Sequence, residues 1–216
     1  MEKILFQGDS ITDCDRVRTS KSNVGDGYAC LVKSQLSFDF PEKYTFFNRG
    51  VAGDRIVDVY TRIKKDILNL EPDYISFLVG VNDVSHEIYN QNGVSADKFE
   101  KIYGMMIEEI REILPNVKMM ILEPFCLRGK TTDNDERVPN MWQIMDREVR
   151  EVAKRARKVA EKYDIPFIPL QDKFDTLALQ TGNDYWLKDG VHPTAAGHEL
   201  IKREWIKAFE TLQMSK

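Results

Sequence analysis

A serine hydroxyl becomes a nucleophile when a base takes its proton and an acid orients that base. Three residues of this chain have the types and spacing for such a relay. Ser10 lies in Gly8-Asp9-Ser10-Ile11, directly after a short apolar run, and Asp189 and His192 share the stretch Asp189-Gly190-Val191-His192-Pro193. An Asp three residues before a His reaches it within one loop. Proline pushes the residue before it out of helical backbone, so Pro193 holds His192 in that loop, ahead of a helix starting near Thr194. Asp189 then accepts from Nδ1–H and leaves Nε2 to take the Ser10 proton. Acyl transfer also needs donors aimed at the developing oxyanion. The backbone N–H of Ser10 is one. The N–H of Gly53 is a second, since glycine lets backbone approach a substrate closely, and the side-chain amide of Asn82 is a third.

These residues are far apart in sequence, so the fold must gather them. Five apolar runs of strand length recur: Lys3–Gln7, Tyr44–Asn48, Tyr74–Val79, Lys118–Leu122 and Pro166–Leu170. Helical spacing separates them. Ile56, Val59, Tyr60, Ile63 and Ile67 form one apolar stripe, and Phe99, Ile102, Tyr103, Met106, Ile107, Ile110 and Leu114 another. Trp142 to Tyr163 and Ile201 to Leu212 carry two more, and Tyr28–Phe38 reads as a less regular helix. Strands alternating with helices predict βαβ units, hence an α/β/α three-layer sandwich around a parallel sheet of about five strands. Ligands of such sheets sit beyond the carboxyl ends of the strands. Gly8–Ile11, Asn48–Gly53, Gly80–Asp83 and the Asp189–Pro193 loop all fall at that edge. Cys14–Gly27 and Leu127–Pro139 are the longest expected loops, neither reads as an interdomain linker, and residues 1–216 are expected to form one domain.

Composition narrows the classes. The 216 residues carry a formal charge of −4, with 42% hydrophobic and 31% charged residues. That is a globular balance, and its acidity argues against a nucleic-acid partner. Three scattered cysteines (Cys14, Cys30, Cys126) without a C-x-x-C pair argue against a disulfide scaffold or cysteine-rich metal fold. No apolar run has the length of a membrane span, and Ile4-Leu5-Phe6 is too short for a signal-peptide core. A cytoplasmic protein is therefore expected, and a homo-oligomer is a reasonable prior.

The remaining candidates have plainer roles. His198 is expected to be a surface or capping residue, since its six-residue separation from His192 does not suit a shared metal on one helix face. His86 is expected in a solvent-exposed loop after the third strand, where it would border an acyl pocket at most. Cys14 is a bystander four residues from Ser10. Asp9 and Asp83 are expected to bond neighbouring loops.

Gly8-Asp9-Ser10-Ile11, Gly50-x-x-Gly53, Gly80-Val81-Asn82-Asp83 and Asp189-x-x-His192 together resemble, in order, the four blocks of the SGNH hydrolases, or GDSL-type esterases. The resemblance covers nearly the whole chain. It implies a flavodoxin-like sheet, a catalytic Ser10, Asp189 and His192, and oxyanion donors Ser10, Gly53 and Asn82. It also implies hydrolysis through an acyl-enzyme with no metal and no organic cofactor. The stretches Phe6–Asp13 and His192–His198 are similar to those of intracellular bacterial acetylxylan esterases, which implies an acetylated oligosaccharide as substrate. Trp186 and Tyr185 near the Asp–His pair then become candidates for stacking on a sugar, or for loop packing alone. The same residues also suit a lysophospholipase, thioesterase or general short-acyl esterase. A non-catalytic binding subunit is a further possibility, against which the intact Ser10, Asp189, His192 and Asn82 argue.

Overall fold

The computed structural model describes residues 1–20, 22–133 and 135–214. Five parallel strands, β1 (Glu2–Gly8), β2 (Tyr44–Asn48), β3 (Tyr74–Leu78), β4 (Lys118–Leu122) and β5 (Phe167–Ile168), are ordered β2-β1-β3-β4-β5. This is the flavodoxin-like order of a doubly wound sheet. Every residue of β3 is buried, as expected for a parallel strand covered on both faces. The first four expected strands stand within a residue of their positions. The last is much shorter than expected, Phe167–Ile168 alone pairing with β4.

Nine helices are present among the described residues: α1 (Ser10–Asp13), α2 (Tyr28–Asp39), α3 (Ile56–Thr61), α4 (Ile63–Asp66), α5 (Val81–Asn90), α6 (Ala96–Ile113), α7 (Met141–Lys162), α8 (Gln171–Thr181) and α9 (Ala195–Met214). The single helix expected over Ile56–Ile67 is two short ones with a 3-10 turn after them. Three helices were not expected: the single turn α1, which begins at Ser10, α8, whose sequence has a weak apolar stripe, and α5, which begins one residue before Asn82. The Cys14–Gly27 and Leu127–Pro139 segments have no helix or strand among their described residues. Lys21 and Asn134, one in each, lie outside those residues.

Helices α2 and α9 pack together on one face of the sheet, and α3, α6 and α7 contact one another in succession on the other. Trp205 of α9 is fully buried, 5.5 Å from Phe6 of β1 and stacked at 4.8 Å on Phe209, which in turn meets Tyr74 of β3 at 4.9 Å. Truncating such a buried aromatic typically costs about 3–5 kcal/mol. This packing matters for the site because the His192 loop leads directly into α9. Anchoring the helix on β1 and β3 carries His192 to the end of β1. The sheet reverses strand order between β1 and β3, which is where doubly wound folds open a crevice.

Candidate active site

At the end of β1 the chain must turn sharply past its neighbour. A Cβ on Gly8 would lie 2.2 Å from the Leu78 carbonyl oxygen of β3, so only glycine allows the two strands this approach. Asp9 then caps α1, its Oδ1 accepting from the Ile11 N–H at 2.9 Å. Ser10 follows as the first residue of that helix. Burial pushes the Asp9 carboxyl up to about 7, the Ile11 N–H opposes it, and nearby Asp54 adds to the rise. Asp83, also buried, accepts from the Ile56 N–H at 3.1 and 3.2 Å and is likewise pushed up by burial. Asp83 bonds a neighbouring segment, as expected, whereas the Asp9 side chain stays within its own turn as the cap of α1; the two flank Asn82 and Ser10 in the chain.

Ser10 Oγ lies 2.9 Å from His192 Nε2, and His192 Nδ1 lies 2.7 Å from Asp189 Oδ2. A carboxylate only accepts, so Nδ1 carries the imidazole proton and Nε2 is the acceptor that faces the serine. Asp189 is itself fixed, because its Oδ1 accepts the N–H groups of His192 and Val191 at 2.8 and 3.0 Å. Burial would raise the Asp189 carboxyl, but these N–H groups and the imidazole outweigh it and hold the carboxyl below its usual range. The sequence offered no sign of the support behind this loop. The 127–132 segment braces it: Leu127 N–H donates to the Gly190 carbonyl, and Thr131 donates to the Asp189 carbonyl through both its N–H and its hydroxyl, each at 2.8 Å.

The Asn82 amide sits on the first turn of α5 and not in an open loop. It donates to the Asp54 carbonyl at 3.1 Å, while its own oxygen accepts from Ser85 at 3.4 Å. One N–H is thus used to hold the amide, and the second remains for a ligand. Gly53 has φ +86°, a left-handed value that favours glycine. His86 belongs beside it: it is half-buried on α5, not exposed in a loop, and its Nε2 is 4.0 Å from where a Gly53 Cβ would lie.

Ser10, Asp189 and His192 open onto a cleft of about 650 Å³. Its other walls come mainly from the 14–18 segment, which contributes Cys14, Asp15, Arg16 and Arg18, and from Lys188 and His198. Trp186 and Tyr185 do not line it. Their rings meet edge to face at 5.2 Å, and the Trp186 indole N–H donates to Thr181 Oγ1 at 2.7 Å, an arrangement that suits loop packing. His198 is buried, and its capping role spans the fold: Nδ1 accepts from Tyr28 N–H at the start of α2, 3.1 Å away. Its proton is therefore on Nε2, 3.4 Å from Cys14 Sγ, and burial lowers the imidazole to about 4, with Lys188 and His192 adding to the effect. No group of three or more His, Cys, Asp or Glu able to hold a metal occurs among the described residues, and no helix there is long and apolar enough to cross a membrane.

A serine–imidazole–carboxylate relay at the switch point of a flavodoxin-like sheet defines a class of acyl hydrolases, and comparison agrees. Residues 6–200 match the GDSL-like lipase/acylhydrolase family. The chain belongs to that family and is a carboxylic ester hydrolase. It is 28% identical over 215 residues to an acetylxylan esterase of Geobacillus stearothermophilus, covering 95% of this chain and 93% of the relative. The crystal structure of an acetylxylan esterase from that organism superposes with a TM-score of 0.82 at 26% identity, covering 96% of this chain and 93% of the other. A Parabacteroides merdae protein provisionally designated a GDSL-like lipase superposes with a TM-score of 0.85 at 32% identity, covering 96% and 94%. The chain is thus an acetylxylan-esterase-like member of the family.

Proposed function

We propose that this enzyme removes O-acetyl groups from xylo-oligosaccharides or related carbohydrates through an acyl-enzyme on Ser10. The observation that carries the reading is the unbroken relay from Ser10 Oγ through His192 to Asp189, at 2.9 and 2.7 Å. In this mechanism His192 Nε2 takes the hydroxyl proton as Oγ bonds to the ester carbonyl carbon. Negative charge develops on the carbonyl oxygen, where the N–H groups of Ser10 and Gly53 and the free N–H of Asn82 would meet it. The C–O bond to the sugar then breaks, and the imidazolium returns its proton to the departing alcohol oxygen. Water, deprotonated by the same imidazole, releases acetate and restores Ser10.

Two features favour a short acyl group on a polar alcohol. A relative that matches along nearly the whole chain is an acetylxylan esterase. The cleft has few apolar walls, chiefly Ile11, Ala52 and Pro193, so each added methylene of an acyl chain would gain little of the ~0.8 kcal/mol available on full burial. The test is a series of p-nitrophenyl esters beside acetylated xylo-oligosaccharides, with Ser10→Ala as the blank. Activity on acetyl and loss of it on octanoyl esters is expected. A preference for octanoyl would replace this reading with a lysophospholipase or thioesterase.

A further inference from the structure

A second cleft, of about 690 Å³, adjoins the first, and Arg16 and Arg18 line both. Arg49, Arg62 and Lys65 supply its other cationic walls. Three acids, Asp54, Asp58 and Asp66, face these five cations, and Asp13 of the first cleft pairs with both Arg16 at 3.4 Å and Arg18 at 2.8 Å, a pairing that still leaves positive charge over. Asp58 is engaged by Arg55, which is not part of the cleft, at 2.8 Å. Arg62 pairs with both Asp54 and Asp66. Arg49 reaches Asp66 only at 3.9 Å, and Lys65, an exposed side chain, has no ion-pair partner among the described residues. The cleft also borders the oxyanion side of the site. Asp54 lines it and takes the Asn82 amide on its carbonyl. Asp13 holds Arg18 and at the same time accepts from the N–H of Ala52, next to Gly53.

We propose that this second cleft is a subsite for a carboxylate carried by the substrate, so that the enzyme prefers acidic oligosaccharides. With the ester on Ser10, the sugar chain runs past Arg16 and Arg18 and sets a uronic acid against Arg49 and Lys65. Guanidinium groups match the planar carboxylate with paired N–H donors, whereas a neutral sugar offers these cations no counter-charge. The inference rests on the acetylated oligosaccharide as substrate.

The test compares two acetylated xylo-oligosaccharides that differ by one glucuronosyl branch, with p-nitrophenyl acetate as a small neutral ester. At low salt the acidic substrate should show kcat/KM about five-fold higher, which is ~1 kcal/mol. The advantage should shrink at about 0.5 M NaCl, where screening is strong. Lys65→Glu should remove it through KM and leave p-nitrophenyl acetate turnover unchanged. Equal kcat/KM on the two sugars in the unaltered enzyme would overturn the subsite. Turnover of p-nitrophenyl acetate with neither sugar hydrolysed would overturn the oligosaccharide reading beneath it, and the subsite with it.

Discussion

Replacing Asp189 by Asn tests the relay at its most discriminating point, because the change keeps the shape and removes only the acceptor. Asp189 Oδ1 receives two main-chain N–H groups, from His192 and Val191, and Oδ2 receives His192 Nδ1–H. In Asp189→Asn the side-chain oxygen stays with the two main-chain donors. Turning the amide over would set its NH2 against them and leave two donors unpaired, at about 1–3 kcal/mol each. The NH2 therefore faces His192 Nδ1, which must then accept. The imidazole proton moves to Nε2, where it points at Ser10 and blocks proton uptake. Recovering the useful tautomer costs roughly 2–6 kcal/mol from those bonds alone, and stabilisation of the imidazolium is lost as well. We expect kcat on p-nitrophenyl acetate to fall about 10⁴-fold, equivalent to ~5.5 kcal/mol, with little change in KM. Thermal unfolding should remain near that of the parent, since both main-chain bonds survive. A folded Asp189→Asn protein with kcat within about ten-fold of the parent would refute the proposed role of this carboxylate.

Asn82→Ala removes one proposed oxyanion donor and should lower kcat by roughly 10²–10³-fold; steady-state kinetics with full turnover retained would remove Asn82 from the oxyanion site. The buried His198 gives a pH signature. Its folded value of about 4 lies below the ordinary 6.5, so its neutral form is favoured by folding. Its contribution is complete above pH 6.5 and is lost as pH falls towards 4, by about 3 kcal/mol. Urea unfolding across that range, parent against His198→Asn, should show the parent losing this much relative to the variant; parallel pH profiles would show that the histidine is not held neutral by the fold. Asp9, held near 7 by burial, titrates in the opposite sense, which is why the difference between the two proteins and not the parent alone is the informative quantity.

Much of this enzyme was legible in its sequence because the chemistry is local in each block. The apolar runs specified the strands, since a strand buried on both faces is apolar along most of its length, with Gln7 and Ser76 as buried polar exceptions. Asp189 and His192 are bonded within one loop, and a three-residue spacing is enough to announce them. Gly8 and Gly53 mark places where backbone geometry admits little else. The tertiary structure decided what depends on contacts between distant segments. Ser10 and His192 are 182 residues apart, and only the docking of α9 on β1 sets their 2.9 Å separation. His198 reads from its neighbours as an exposed helical residue, yet α9 turns it onto the first N–H of α2. Trp186 lies near the Asp–His pair in sequence, but its indole is tied to Thr181 and away from the cleft. The brace from residues 127–132 and the cationic cleft beside Arg16 and Arg18 have no local signature at all. Each is assembled from segments whose charges and hydrogen bonds acquire a direction only once the sheet has brought them together.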